Sequence, residues 1–525
     1  MSESKSDYDV AILGGGFSGS LLAWILATRG VSVMLIEREQ FGRFAIGESS
    51  TPMADLVLRQ LADQYELPEL RALSTYPSWK ASFPNLRCGK KRGFSYYHHG
   101  DAGCDNQSGR QFHDLKKGDE NVCGNSLLVT ASPSDTWSDT HWLRSDIDSF
   151  FLQRAIQAGA ECRQRTEVVA ATMEEHVELT LCDRSQNESH ASPRNVSARW
   201  LVNASGRFGV LPDSLARSIG LRRVDERLQT STRSVFAHFH GVKSWTQELK
   251  RTRQLRAEEP FDPDDAAQHH LTAEGWMWML RMDHGVTSVG WTQPNSAGWA
   301  DVGSGIPATE SWRRYPSLQN LMEEASFCET TPRWISVDRV QRMQLPVRHR
   351  NYVMMPTAVA TIDPLHSTGI AHGLIGVARL LGALLSESSR CDTMLDRYAL
   401  TVERELRQID SLVSLCYQCL STMARFEAVS MLYFASAIAS EEFLASGGNV
   451  DSALWLCDND AFCELIRETR QRVSDHISDD ELWQWLQPRL QPFQNAGLLD
   501  GNVRGRYRYT GEAKHETFFK VERSV

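Results

Sequence analysis

The sequence predicts an α/β protein: a dinucleotide-binding βαβ module, strands inserted into it, and a helical C-terminal region. Three observations carry that assignment. Residues 9–13 form a short apolar strand, followed by Gly14-Gly15-Gly16-Phe17-Ser18-Gly19, a helical run over 20–29 and a second apolar strand over 31–36 ending in Glu37. Segments such as 177–182, 232–239 and 276–280 read as strands set between polar loops. From about residue 388 to 497 there are few glycines outside Gly447-Gly448, and 392–412, 423–439 and 479–486 read as helices, the last ending two residues before Pro488.

Each part of the first unit has a physical reason. Gly14 permits the tight turn, Gly16 lets backbone approach a pyrophosphate, and Gly19 allows close strand–helix packing. The helix that follows Gly19 has N-terminal amides and a dipole that favour phosphate. Glu37 can accept hydrogen bonds from an adenosine ribose. The competing reading, a turn needed only for packing, does not account for the acid about twenty residues on. The motif by itself fits FAD or NAD, and no second glycine fingerprint for a nicotinamide nucleotide follows.

Composition narrows the class. The chain has 525 residues, 41% hydrophobic and 23% charged, with a net charge of −10, which suits a globular enzyme and excludes disordered, collagenous and disulfide-scaffold chains. No basic field recruits nucleic acid. Eleven scattered cysteines imply a reducing, cytoplasmic setting, and Cys416 and Cys419 read as core thiols on one helical face rather than zinc ligands. No signal core opens the chain. The apolar stretches 10–36 and 369–385 are interrupted by Arg29 and by His372 and Arg379, so no membrane span is expected, and the Asn106, Asn187 and Asn195 sequons read as incidental. Residues 98–142 read as a long excursion and candidate lid, 187–194 as a hairpin turn, and 501–525 as a polar extended tail. No histidine or cysteine spacing points to a metal. Fifteen tryptophans are unusually many, and Trp455, Trp483 and Trp485 lie where a helical region could cap an aromatic pocket.

Later segments resemble those of FAD-dependent monooxygenases. Arg144-Ser-Asp-Ile-Asp-Ser-Phe-Phe opens a helix like their flavin-contacting arginine segment, although a helix-start salt bridge would explain Arg144 as well. The Leu201-Val-Asn-Ala-Ser-Gly-Arg207 segment is similar to their post-crossover strand and turn, and Asp363-Pro364 to the acid near the ribityl chain. A narrower likeness covers most of the chain, to the flavin-dependent halogenases and in particular their phenol-halogenating branch. Arg43-Phe-Ala-Ile-Gly-Glu-Ser-Ser-Thr-Pro52 resembles that family's Gly-Glu-x-x-x-Pro turn over the flavin. Cys88-Gly-Lys-Lys-Arg-Gly-Phe-Ser-Tyr96 resembles its lysine-bearing strand, Trp276-Met-Trp278 its paired-tryptophan signature, and Asp363-Pro-Leu-His-Ser-Thr-Gly369 its halide loop.

The resemblance implies a Rossmann-type FAD-binding module over 1–387 with interleaved substrate-domain strands (about 80–142 and 170–345), and a helical region over 388–525 capping the substrate pocket. It implies FAD, reduced by a separate flavin reductase, contacted by Gly14, Gly16, Phe17, Ser18, Gly19, Glu37, Arg38, Ser49, Ser50, Arg144, Asp363, Gly369 and Ile370. Chloride or bromide is expected on Ser367, Thr368 and Gly369, where a loop opening a helix offers amide donors. Trp276 and Trp278 are expected to screen the flavin. Lys91 is expected to relay hypohalous acid to a small electron-rich arene, free or carrier-tethered. Alternation puts Lys91, Gly93 and Ser95 on one strand face and Lys90, Arg92 and Phe94 on the other, so a one-residue slip would select Lys90. Without the family match, the Lys-Lys-Arg run would read as a solvated strand end.

Three positions depart from the family pattern. Leu280-Arg281 stands for Ile-Pro, Thr361 for an aromatic, and His366 for a glutamate or aromatic. His366 is expected as a base toward a phenol, against a packing ring. These departures keep two alternatives open: an FAD monooxygenase or oxidoreductase of the same fold, or a flavin-binding relative without activity.

Overall fold

The computed structural model describes residues 6–99, 125–184, 193–206, 210–272, 274–295 and 312–508. Most of the candidate lid (100–124), most of the 187–194 turn, Arg207 and the end of the tail lie outside the described residues.

The strand Tyr8–Leu13 lies at the centre of an eight-stranded sheet, parallel to Val33–Ile36 on one side and Arg194–Asn203 on the other. Tyr352–Met354 and Glu161–Arg163 extend the parallel order outward. Residues 10–13 and 33–36 are all buried, as an apolar run covered on both faces requires. The helix Phe17–Thr28 follows the glycine turn, where Gly14 adopts φ +102°. A Cβ on Gly19 would lie 2.1 Å from the Gly14 carbonyl oxygen, so no larger residue fits that strand–helix contact.

The inserted strands form one nine-stranded sheet running from Ser326–Phe327 through Thr232–His240, Val286–Pro294, Trp276–Arg281, Ala266–Leu271, Gly93–His98 and Ser126–Thr130 to Arg506–Tyr507, with Ile335–Val337 also pairing Thr232–His240. The expected extended tail therefore begins with a short strand that closes one edge of this sheet.

The continuous lysine strand predicted from alternation is instead broken at Arg92. Cys88–Lys91 pairs with Asp139–Trp142 in a separate two-stranded ladder, and Gly93–His98 joins the large sheet. The break changes which side chains meet. Alternation puts Lys91 and Phe94 on opposite faces, yet the Lys91 ammonium lies 3.9 Å from the centre of the Phe94 ring.

The helical region comprises Ser388–Tyr417, Met423–Ala445, Asp460–Ser474 and Asp479–Leu490. The last helix runs through Pro488 rather than stopping before it, with Leu486 and Leu490 both buried. One continuous apolar core joins this region to the nucleotide sheet. Met423–Ala445, with a mean hydropathy of 1.2 over its most apolar stretch, has the length and composition of a membrane span, but 72% of that stretch is buried inside the protein.

Candidate functional site

The glycine turn, an arginine and a loop meet at the carboxyl ends of the parallel strands. Glu37 stays beside the turn: its Oε2 accepts the Gly15 N–H at 2.9 Å and its Oε1 the Glu39 N–H at 2.8 Å. Arg144, the first residue of the helix Arg144–Gln157, is buried and donates through Nε and Nη2 to Asp148 at 2.9 and 3.0 Å. Its Nη1 donates to the Ile46 carbonyl at 2.9 Å, and its guanidinium lies over the Phe17 ring. A Cβ on Gly16 would lie 3.7 Å from Arg144 Nη2. The helix-start ion pair is thus real, and the same residue ties the glycine turn to the loop at 46–51. Arg38, by contrast, pairs with Glu39 at the surface.

That loop runs beside the strand Asp139–Trp142. Trp142 N–H donates to the Glu48 carbonyl at 2.6 Å, Ser50 N–H to the Thr140 carbonyl at 3.1 Å, and Ser49 bridges His141. Glu48 Oε1 is 2.8 Å from His238 Nε2. Glu48 Oε2 and Ser49 Oγ are buried without a hydrogen-bond partner in the protein, polar atoms that suit a polar ring system laid against the loop.

On the other side of Asp139–Trp142 lies the lysine strand. Lys91 is fully buried and donates to the Ser50 carbonyl at 2.5 Å, whereas Lys90 points outward to Asp135 and Asp265. Burial lowers the Lys91 ammonium to about 8, against the pull of Asp139, Asp55 and Glu441. Asp139 faces Lys91 across the ladder, and Asp55 lies in the first turn of the helix Pro52–Tyr65, within 3.4 Å of Ser50 Oγ. Burial pushes both carboxyls up, and for Asp55 the neighbouring Asp139 charge adds to the rise.

A cavity opens beyond the Phe94 ring on which this lysine sits, and Lys91 itself does not line it. Thr51, Pro52 and Met53 line it together with Phe94 and with Thr130 and Ala131 of the neighbouring strand segment, and Tyr433, Phe434, Ile438 and Glu441 of the helix Met423–Ala445 complete it with Trp455. Glu441 is buried, which raises its carboxyl to about 8. The expected cap is therefore built chiefly by one helix, and Trp483 and Trp485 do not line it.

The loop 363–369 meets the same wall. Ser367 takes a left-handed conformation (φ 55°) and the helix Thr368–Leu384 starts after it, with no side chain capping its N-terminus. Gly369 is exposed with open space where a Cβ would stand, and Ile370 is buried. Thr368 Oγ1 is 2.8 Å from the Tyr433 hydroxyl. Asp363 Oδ2 accepts from Thr232, Gln341 and Tyr417, and burial raises its carboxyl to about 7. Tyr417 in turn accepts from Trp276 Nε1 at 2.7 Å, joining the paired tryptophans to the Asp-Pro turn. The Trp278 ring fills the space over Gly290, where a Cβ would clash at 2.0 Å.

His366 does not line the cavity. Its Nδ1 is 3.0 Å from the Tyr96 hydroxyl, its Nε2 3.5 Å from Cys416 Sγ, and its ring stacks on Tyr433. Burial holds its basicity far below the usual range, so it is a neutral ring reaching the cavity only through Tyr433 and Phe434. The other departures are structural ties. Arg281 binds Asp264 and the carbonyls of Val242 and Lys243, and Thr361 accepts from Arg342. Among the described residues, no cluster of His, Cys, Asp and Glu side chains is fit to hold a metal.

Sequence reasoning missed Asp55, Asp139, Tyr433 and Glu441. Only Glu441 left a local sign, as one of three acids, with Glu427 and Glu442, in a largely apolar helical run.

The family described as FAD dependent oxidoreductase matches residues 9–239, and the family described as Tryptophan halogenase matches residues 189–424. The chain is 29% identical over 412 residues to tetracycline 7-halogenase of Kitasatospora aureofaciens, covering 77% of this chain and 68% of that one. It is 27% identical over 451 residues to monodechloroaminopyrrolnitrin halogenase PrnC of Pseudomonas fluorescens, covering 83% and 72%. The crystal structure of halogenase PltM with phloroglucinol and FAD shares the fold, with a TM-score of 0.78, 23% identity, and 95% and 99% of the two chains covered.

Proposed function

We propose that the chain is a flavin-dependent halogenase that uses FAD, makes hypohalous acid and delivers it through Lys91 to a phenolic arene in the adjoining cavity. The observation that carries this is the place of Lys91: bonded to the Ser50 carbonyl of the loop at 46–51 and seated on Phe94, a wall of the cavity.

The cofactor would lie along Gly14, Gly16, Phe17, Ser18 and Gly19, with its ribose at Glu37 and its ring against Ser49 and Ser50. Arg144 fixes the loop to the glycine turn. Bound there and reduced by a separate reductase, FAD would supply two electrons and two protons to O₂, which with halide and one further proton gives hypohalous acid and water. The helix N-terminus at Thr368, Gly369 and Ile370 offers amides and a dipole to the halide, while the Ser367 N–H is already given to the Pro364 carbonyl. Trp276 and Trp278, fixed through Tyr417 and Ser288, keep bulk water from this region.

Lys91 acts on the acid. Its ammonium donates to the oxygen of HOX, orients the halogen toward the arene and stabilises the departing hydroxide. The carboxyls of Asp139 and Asp55 keep enough of the amine protonated in a buried place. His366 serves as a packing ring in this scheme. The shape and apolar lining of the cavity favour an aromatic ring, and PltM, which shares the fold, is solved with phloroglucinol.

The test supplies reduced flavin, O₂ and bromide with a panel of phenols and indoles, and reads product by mass. Brominated phenol supports the assignment. Oxygenated product without bromine would contradict it.

A further inference from the structure

We propose that Glu441 and Thr130 form the polar anchor of the cavity, with Glu441 accepting the proton of a substrate O–H while the ring is halogenated; this rests on the halogenase reading above. The cavity walls are otherwise largely apolar, set by Met53, Phe94, Val129, Phe434 and Ile438. Among the polar wall residues, Thr368 and Tyr433 satisfy each other. Thr130 does not: it is 7% exposed, lines the cavity, and its Oγ1 has no hydrogen-bond partner in the protein. Glu441 is 8% exposed and lines the same cavity. The Met53 N–H holds its carboxylate to the first turn of the helix Pro52–Tyr65. Lys91 reaches that segment through the Ser50 carbonyl three residues earlier. An acceptor inside the cavity and a cation just outside its lining thus meet the segment 50–53.

Such groups ask for a ligand with a hydrogen-bond donor. A buried hydroxyl or carboxylate left unpaired beside an apolar ring costs binding, so the site discriminates against an arene lacking O–H. The chemistry gains from the same contact. The ring carbon attacks the halogen of HOX, the C–X bond forms, and the O–X bond breaks to release hydroxide. The phenolic proton passes to Glu441, leaving a dienone. The ring C–H proton then goes to hydroxide, giving water, and Glu441 returns its proton to the oxygen as the ring becomes aromatic again. The arene is oxidised, the halogen reduced, and the sum is ArH + HOX → ArX + H₂O. Burial raises the Glu441 carboxyl to about 8, so the ionised form that takes the phenol proton is the minor one at pH 7 and its share grows as pH rises.

The test uses the oxidised FAD holoenzyme, titrated calorimetrically with phloroglucinol and with 1,3,5-trimethoxybenzene, which keeps the ring but has no O–H. Wild type should prefer the phenol by about 30-fold or more, and Glu441→Ala should reduce that preference to about threefold. Glu441→Gln keeps an acceptor but cannot take the proton. It should hold phloroglucinol within about threefold while lowering bromination kcat by about 10²-fold. FAD absorbance reports that each variant is folded. Equal preference in wild type and Glu441→Ala, or unchanged kcat in Glu441→Gln, would overturn the proposal. Trapping hypobromous acid from wild type with monochlorodimedone separates the two levels: acid formed with no role for Glu441 sinks only the anchor, whereas no acid formed removes the reading beneath it as well.

Discussion

The nucleotide turn and the lysine cavity are neighbours built in opposite ways. The turn is one contiguous stretch, residues 8–37, whose apolar strands, glycines and acid dictate their own geometry. The cavity draws its walls from segments near 51, 94, 130, 368, 433, 441 and 455, brought together only by the closed core. A local motif tolerates little change but can be read at once. An assembled pocket can change one wall at a time, which is how one fold can serve different arenes.

Breaking the local unit should have the largest effect. Gly19→Val places side-chain atoms where a Cβ already approaches the Gly14 carbonyl at 2.1 Å. FAD retention after gel filtration, read by visible absorbance, should fall by about 100-fold or more. Next comes Arg144→Met, which leaves Asp148 buried without its partner. Stability should drop by about 3 kcal/mol, visible as a lower Tm, together with weaker FAD binding. Full FAD retention in either variant would dissolve the distinction between the two regions.

Changes around the assembled cavity should be subtler and specific. Asp139→Asn removes a charge that favours the Lys91 ammonium, so the amine should lose its proton below about 8. Lys91 is also faced by Asp55 and Glu441, and Glu441 by Asp139 and Glu442. The fall in bromination rate on the alkaline side should therefore begin at lower pH in Asp139→Asn, and a pH–rate profile would show it. A shift to higher pH would contradict the assigned sign. His366→Gln should change kcat by about threefold or less while lowering Tm, as expected of a buried ring between Tyr96, Cys416 and Tyr433. A loss of 100-fold would restore it as a base. Lys90→Ala should do least. Its partners are surface carboxylates, worth under about 1 kcal/mol, and activity should stay within about twofold.

The same contrast explains what could be read from the sequence. Gly14, Gly19 and Glu37 announce themselves because spacing fixes their geometry. Lys91 was legible by residue matching, but its contact with Phe94 was not, since strand alternation forbids it and the break at Arg92 creates it. Asp55 and Asp139 are 84 positions apart and meet only because the loop at 46–51 runs beside Asp139–Trp142. Arg281 looked like lost chemistry and is a tie to Asp264. The paired tryptophans, two of fifteen, gained a specific connection: Trp276 through Tyr417 to Asp363.

The central claim is that the buried lysine carries the halogen from the cofactor side to the arene. The direct measurement compares wild type with Lys91→Ala, both FAD-loaded, for brominated phenol formed under reduced flavin, O₂ and bromide. Lys91→Ala should retain FAD and reoxidise reduced flavin, with product lowered by about 10²-fold or more. Product within a few fold of wild type would contradict it.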